Sequence, residues 1–378
     1  MDFSFSEEQE EVRNLARKIL EDLATHERLN EIEASADGID RQLWKELAKA
    51  NLLGLGLPAE FGGSELGYLT VCVLLEEIGR TVAPVPALAT LVLGALPIAE
   101  FGSAAQRSRL LPGVVNGDLI LTAALQEAGS DDPARPATTA RRQGSGWHLD
   151  GVKICVPAAH VAERILVPAR SDDAAVGVFL VDPRADGVEL APQKTTNREP
   201  HFQLTLSGVA VAGDDVLGDP LRGAERVQWL TERATAAYCA VQLGVSEKAL
   251  RMTAEYTSTR EQFKRPVGSF QAVHTRAGDA YIQVEGMRLT TQRAVWRLDQ
   301  GLPAEDDVAV AKFWAAEGGQ FVGYAAQHLH GGIGVDIDYP LHRYYLWSKQ
   351  IELTLGSASV QLARIGARMA REPVEYEG

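Results

Sequence analysis

Residues 256–271 contain four side chains suited to binding chemistry at short spacing: Arg260, Phe263, Phe270 and Gln271. The guanidinium of Arg260 presents a fixed fork of donors that suits phosphate oxygens. The rings of Phe263 and Phe270 can cover a flat ligand, and the Gln271 amide can bond polar groups. Considered without further context, an arginine and a glutamine here would more often be surface residues beside a loop.

A second candidate stretch covers residues 327–336, where Gly331 and Gly332 open the string Gly-Gly-Ile-Gly. Glycines most often mark a turn, so this string alone is a weak signal. His328 precedes the glycines and can donate a hydrogen bond to a ligand. His330 is as compatible with a packed or solvent-exposed residue, and we assign it no role from the sequence.

Three regions along the chain must position these residues. Helical spacing of apolar residues dominates at first, and Ser6 with Gln9 fits a capping box. Short alternating strands follow, for example at 202–207, which suggests a small barrel or sandwich. Long helices then return at about 225–260, 271–298, 305–328 and 350–369, as in a helical bundle. We therefore predict an N-terminal helical domain (1–117), a middle β-barrel domain (118–218) and a C-terminal helical bundle (219–378).

Composition excludes several classes of function. The net charge of −14 argues against a nucleic-acid-binding protein, which needs clustered basic residues. Cys72, Cys155 and Cys239 have neither metal-ligand nor disulfide spacing, which favours a reducing compartment. The N-terminal segment lacks signal-peptide features and no apolar run could cross a bilayer, so we expect a cytoplasmic protein without membrane attachment.

The order helical, β, helical and both motifs together resemble the acyl-CoA dehydrogenase family over the whole chain. That resemblance implies a mostly α fold with a central β domain: an N-terminal helical domain, a middle β-barrel and a C-terminal four-helix bundle. It also implies FAD as cofactor and an acyl-CoA as substrate. The resemblance further implies that residues from both motifs bind the FAD of the neighbouring subunit: Arg260, Phe263, Phe270, Gln271, His328, Gly331 and Gly332.

The chain departs from the family where its own flavin would bind. Residues 125–131 stand where relatives carry Thr-Glu-Pro-x-x-Gly-Ser-Asp, and the threonine is missing. Pro157 stands where relatives carry a threonine that contacts the isoalloxazine ring. Proline removes a backbone donor and a hydroxyl together. The chain's own flavin pocket is therefore expected to be degraded.

The catalytic base is also absent from both positions that the resemblance implies. The family's reaction needs a carboxylate to remove the α-proton of the thioester while flavin N5 accepts a hydride from the β-carbon. Relatives carry this glutamate immediately before the glycine equivalent to Gly356, or on the first helix of the C-terminal domain. Leu355 and Ala234 occupy these positions here, and neither side chain can accept a proton. Glu352 and Glu232 lie nearby, although a solvated charge on a helix face is the favoured interpretation of both.

Residues 328–345, followed by Leu346 and Trp347 in place of the usual Arg-Asp pair, resemble the base-lacking chain of α2β2 steroid side-chain acyl-CoA dehydrogenases. The leading hypothesis is a FAD-completing subunit whose homologous partner supplies the catalytic glutamate for bulky acyl-CoA thioesters. This chain would then be inactive alone, and an electron-transferring flavoprotein is the expected electron acceptor. One alternative is a self-sufficient homotetramer with Glu352 or Glu232 as base. A third hypothesis is a flavin-free structural or regulatory subunit.

Overall fold

A computed structural model describes residues 4–130, 132–171 and 174–371. Eleven α-helices and nine β-strands are present in this part of the chain. The helices are α1 (Glu7–Leu23), α2 (His26–Ala34), α3 (Arg41–Lys49), α4 (Gly67–Thr81), α5 (Leu96–Phe101), α6 (Ala104–Val115), α7 (Gly223–Thr259), α8 (Gln271–Asp299), α9 (Glu305–His330), α10 (Leu341–Leu353) and α11 (Ala358–Arg371). The strands are β1 (Leu121–Ala123), β2 (Thr139–Gln143), β3 (Gly146–Pro157), β4 (Arg164–Ser171), β5 (Val176–Val181), β6 (Val188–Gln193), β7 (His201–Val211), β8 (Glu261–Gln262) and β9 (Arg265–Pro266).

The chain divides into two compact units. Within the described residues, one unit comprises residues 5–75 and 83–237, and the other comprises Ser4 and residues 76–82 and 238–371. The predicted domain boundaries differ from this division and stay a prediction. They fall between α6 and β1 and between β7 and α7.

The first unit holds the N-terminal helices and a seven-stranded sheet. The sheet runs in the order β1-β4-β2-β3-β7-β6, and β5 pairs with β4. Helix α1 begins at the predicted capping box, because Ser6 and Gln9 exchange side chain to backbone hydrogen bonds. Strand β7 buries Leu204 and Leu206 as its alternation predicted. The mostly helical fold with a central β domain is confirmed.

The second unit is a helical bundle in which α9 contacts α8, α10 and α11. A close backbone approach joins α4 to α7 within this unit. A Cβ atom at Gly244 would lie 1.9 Å from the carbonyl oxygen of Glu76, so only glycine fits there. Arg80 forms ion pairs with Glu77 and Glu247 at the same place. The close approach and the ion pairs together set the register of α4 against α7.

The helix predicted over residues 350–369 is wrong as a single element. Helix α10 ends at Leu353 and α11 begins at Ala358. Thr354 is extended, and Leu355 and Gly356 have φ angles of 59° and 104°, which no α-helix contains. Thr354 and Gly356 are the local sequence signals for this break. Leu355 therefore lies in a turn and does not share a helix face with Glu352.

Candidate functional site

Arg260 lies at the point where α7 gives way to a small hairpin. Its N–H donates to the Tyr256 carbonyl at 2.8 Å, and its carbonyl accepts from Val267 N–H at 2.8 Å. Strands β8 and β9 form the hairpin, and Phe263 at its tip has a φ angle of 52°. The Arg260 side chain is exposed, and no hydrogen-bond or ion-pair partner for it lies among the described residues. The guanidinium donors are therefore available to a ligand.

The two phenylalanines of this motif adopt different environments. Phe263 is 88% exposed, which is unusual for a phenyl ring. Phe270 is half-buried, lies 6.2 Å from Phe263 in edge-to-face geometry and carries the Arg265 guanidinium 4.1 Å above its ring. Gln271 is exposed and begins α8. The predicted residues thus form one solvent-facing surface at the start of α8.

The glycine corner follows the last residue of α9. Residues Gly331–Val335 form a 3-10 turn, and Gly331 adopts φ 65° and ψ −142°. A Cβ atom at Gly331 or Gly332 would meet no atom of the described residues, apart from its chain neighbours, within 4 Å, so their backbone faces open space. A partner molecule could therefore approach this backbone closely. His328 is exposed one turn earlier.

The structure brings the glycine corner and the Arg260 hairpin together through aromatic residues. Tyr256, one helical turn before Arg260, stacks on His330, which directly precedes Gly331. The ring centroids lie 4.5 Å apart. Sequence reasoning missed this role of Tyr256 and His330. Each residue lies close to one motif in the sequence, but the stacking contact joins two different helices and leaves no local signal.

A cavity of about 730 Å3 lies on α8 and α9 beside His328. Trp314, Phe321 and Tyr324 contribute aromatic rings to its wall. Arg276 on the facing side has a buried Nε atom without a hydrogen-bond partner among the described residues. The bundle therefore presents an aromatic groove with one unsatisfied guanidinium nitrogen, next to the predicted cofactor-binding residue His328.

Polar groups in the region predicted as a degraded flavin pocket form hydrogen bonds to one another. The carboxylate of Glu127 accepts hydrogen bonds from Lys153 Nζ at 2.6 Å, from the Thr138 hydroxyl at 2.6 Å and from two backbone N–H groups. Burial alone would raise the pKa of Glu127, yet Lys153 and the other donors lower that pKa to about 2. The carboxylate is thus fully engaged within its own sheet. Asp131 of the same segment lies outside the described residues.

The backbone N–H groups on either side of Pro157 also donate hydrogen bonds within the protein. The Cys155 N–H donates to Gln193 Oε1 at 2.7 Å, and the Ala158 N–H donates to the Pro200 carbonyl at 2.9 Å. Pro157, at the end of β3, has no N–H to offer. Burial raises the pKa of the half-buried Cys155 thiol, which keeps it a neutral thiol. The residues flanking Pro157 therefore bind protein atoms.

The two positions predicted for a base hold buried hydrocarbon. Ala234 on α7 is fully buried and Leu355 is 6% exposed. The Leu355 carbonyl accepts from Gln361 Nε2 at 3.1 Å, which holds the turn in place. Lys312, fully buried, caps the end of α10 by donating to the carbonyls of Ile351 and Glu352 at 2.5 and 3.2 Å. Burial lowers the pKa of Lys312 to about 8.

The two candidate replacement bases already have partners. Glu352 forms an ion pair with Lys349 at 2.6 Å and accepts a hydrogen bond from Gln320 at 3.1 Å. Its side chain is only 15% exposed, so the expectation of a solvated charge was wrong for this residue. Glu232 accepts from Gln228 Nε2 at 2.8 Å along the surface of α7. Both carboxylates therefore have hydrogen-bond partners within their own chain.

No helix among the described residues has the length and apolar character needed to span a membrane. In the same part of the chain, no group of three or more His, Cys, Asp or Glu side chains is arranged to hold a metal ion.

Comparison with known proteins assigns the whole chain to one family. Residues 6–118 match the acyl-CoA dehydrogenase N-terminal domain, residues 122–209 the middle domain and residues 222–370 the C-terminal domain. The chain is 40% identical to acyl-CoA dehydrogenase FadE27 of Mycobacterium tuberculosis, over 99% of this chain and all of the relative. It is 39% identical to FadE28 of the same organism, over 86% of this chain and 91% of that protein.

Two solved structures are similar over nearly the full length. A variant of the Tcur3481-Tcur3483 steroid acyl-CoA dehydrogenase is 49% identical with a TM-score of 0.91, and the match covers 97% of this chain and 98% of that chain. The ChsE4-ChsE5 complex from Mycobacterium tuberculosis is 40% identical with a TM-score of 0.94, covering 99% and 100%. These matches confirm the resemblance identified from the two motifs and the domain order. The protein is a member of the acyl-CoA dehydrogenase family of oxidoreductases.

Proposed function

We propose that this chain is the FAD-completing, base-lacking subunit of a heteromeric acyl-CoA dehydrogenase. A homologous partner chain would supply the catalytic glutamate, and the substrate would be a bulky acyl-CoA thioester such as that of a steroid side chain. One observation carries the proposal. Among the described residues, no side chain pairs with exposed Arg260 and none fills the space at Gly331 and Gly332, whereas Glu127 in the corresponding own-site segment is bound to Lys153.

The exposed residues fit one side of a dinucleotide. Arg260 would hold the pyrophosphate of the partner's FAD through its fork of donors, and Phe263 would cover the flat rings. The open backbone at Gly331 and Gly332 would allow close approach, and His328, Phe270 and Gln271 would add contacts. When bound, FAD supplies the hydride acceptor for the β-carbon of the thioester. An exposed phenyl ring and an unpaired guanidinium both gain by being covered in this way.

This chain's residues at the two base positions would take no part in moving the α-proton. Leu355 and Ala234 present only hydrocarbon, and both are buried. A carboxylate held by the partner chain must therefore remove that proton. The similarity to structures named as a two-chain complex supports this division of roles.

Further parts of the proposal concern partners and location. We propose an electron-transferring flavoprotein as acceptor of the electrons, which rests on family analogy alone. Cys72, Cys155 and Cys239 are free thiols, which supports a reducing, cytoplasmic location.

Purification of this chain alone and together with its cognate homologue tests the proposed function. Flavin absorbance and dehydrogenation of bulky acyl-CoA thioesters are expected only in the two-chain complex. Full activity of this chain alone would contradict the proposal. A two-chain complex without flavin would instead support a structural or regulatory subunit.

A further inference from the structure

Three aromatic side chains form a compact cluster behind the predicted cofactor-binding surface. The Tyr256 ring on α7 and the His330 imidazole on α9 are nearly parallel, with centroids 4.5 Å apart and an interplanar angle of 20°. The Tyr339 ring, in the loop before α10, lies 5.4 Å from His330. His330 is 4% exposed, and the two tyrosines are half-buried. We name Tyr256, His330 and Tyr339 the aromatic clasp.

Hydrogen bonds fix the tautomer of His330. Its Nδ1 atom lies 2.9 Å from the Ala326 carbonyl oxygen, which can only accept, so Nδ1 must carry the proton. Nε2 then holds a lone pair and accepts from the Tyr339 hydroxyl at 3.2 Å. Burial lowers the pKa of His330, and burial also raises the pKa of Tyr339, so both groups stay neutral in this arrangement. Two hydrogen bonds therefore run in one direction through the clasp: the Tyr339 hydroxyl donates to His330, and His330 donates to the backbone of α9.

Two members of the aromatic clasp connect directly to the predicted cofactor surface, and the third connects to α10. The Tyr256 carbonyl accepts from the Arg260 N–H, which sets the start of the hairpin. His330 is the last residue of α9, so its position sets Gly331 and Gly332. The Tyr339 carbonyl lies 2.8 Å from His342 Nδ1 at the start of α10. Three chain segments thus meet at this one cluster.

We propose that the aromatic clasp is a positioning device that sets the distance between the Arg260 hairpin and the glycine corner. The proposal rests on the proposed function, because these two segments would hold opposite parts of the partner's FAD. The clasp residues act through the surface residues and do not themselves touch the cofactor.

A rigid support is needed here for a physical reason. Strands β8 and β9 have two residues each, and so short a hairpin is not stable alone. The glycines of the corner lack side chains that could anchor their backbone. The clasp supplies the missing constraint, since a preorganised binding surface loses less conformational entropy when its ligand binds.

The substitution Tyr339→Phe removes only the hydroxyl, and His330→Phe retains a ring for stacking but loses both hydrogen bonds. In the two-chain complex, Tyr339→Phe is expected to weaken FAD binding about 3- to 10-fold, the range for one lost hydrogen bond. His330→Phe is expected to weaken it more than about tenfold. Tyr344→Phe is the matched control, because its buried hydroxyl donates to the Arg80 carbonyl at 2.9 Å in the same unit. FAD affinity would be measured by titration of the flavin-free complex.

Hydrogen–deuterium exchange of the flavin-free chain gives a second readout that does not depend on cofactor binding. Backbone amides in residues 260–270 and 331–339 are expected to exchange faster in Tyr339→Phe than in Tyr344→Phe. If the Tyr339→Phe complex binds FAD with an affinity within twofold of wild type, the role of the clasp is overturned. Unchanged exchange of both segments in Tyr339→Phe would overturn it as well. If wild-type complex binds no FAD, the proposed function fails, and the exchange measurement alone then decides on the clasp. Should His330→Phe fail to fold, the milder Tyr339→Phe still provides the test.

Discussion

Arg260→Ala in the two-chain complex is expected to weaken FAD binding about 10- to 100-fold, since hydrogen bonds to charged groups contribute about 1.5 to 3 kcal/mol. The guanidinium is exposed and unpaired among the residues described, so its loss breaks no hydrogen bond or ion pair with them. The affinity change therefore reports on the cofactor alone. Flavin titration of the flavin-free complex measures the dissociation constant.

Two further variants sharpen this prediction. Arg260→Lys retains the charge but loses the planar fork, so we expect a loss of affinity between wild type and alanine. Arg251→Ala is the matched control, because Arg251 is an exposed arginine on the same helix whose ion pair with Glu255 is local. We expect its FAD affinity to stay within twofold of wild type. An Arg260→Ala complex with unchanged affinity would show that another residue binds the pyrophosphate.

Lys153→Met is expected to destabilise the protein by about 3 kcal/mol, because it leaves the Glu127 carboxylate buried without its counter-charge. Lys153 is completely buried and Glu127 is 8% exposed. The double variant Lys153→Met with Glu127→Gln removes the stranded charge, so it should recover at least about half of the loss. Urea unfolding monitored by tryptophan fluorescence measures these differences.

The destabilisation expected for Lys153→Met can be checked with a control substitution and by its dependence on pH. Arg141→Met removes an exposed ion pair to Asp150 in the same sheet and should cost less than about 1 kcal/mol. The pKa of Glu127 is depressed from 4.5 to about 2, so its contribution to stability is complete above pH 4.5 and declines as the pH falls toward 2. Lys153→Met should therefore lose most of its destabilising effect in that acid range. If Lys153→Met and Arg141→Met lower the free energy of unfolding equally, the stabilising role of the buried Lys153–Glu127 ion pair is contradicted.

Periodicity and motif spacing predicted the fold class, because the apolar patterns change clearly from helical to alternating and back. The break between α10 and α11 was not predicted. Leu355 and Gly356 both adopt positive φ, and only the glycine signals such a conformation in a sequence. The buried role of Glu127 could not be foreseen either, since its donors Thr138 and Lys153 lie 11 and 26 residues away in the chain.

Some residues of the candidate site could be predicted from the sequence. The resemblance named Arg260, Phe263 and the glycines, which protrude and are recognisable as motifs. Tyr256 and His330 were missed because their importance depends on stacking between two helices, which no local pattern encodes. His330 in particular had been assigned no role. Its buried tautomer became evident only from the two hydrogen-bond partners on either side of the ring.

The flavin content of the purified two-chain complex tests the central claim most directly. If this chain only completes a cofactor site that its partner uses, each pair of unlike chains should hold one FAD. The measurement compares flavin absorbance after release with the amount of each chain, determined by quantitative mass spectrometry. The account predicts about 0.5 FAD per chain, as a single site shared across an interface requires. One FAD for every chain would show that this chain also binds its own flavin, and would contradict the proposed division of roles.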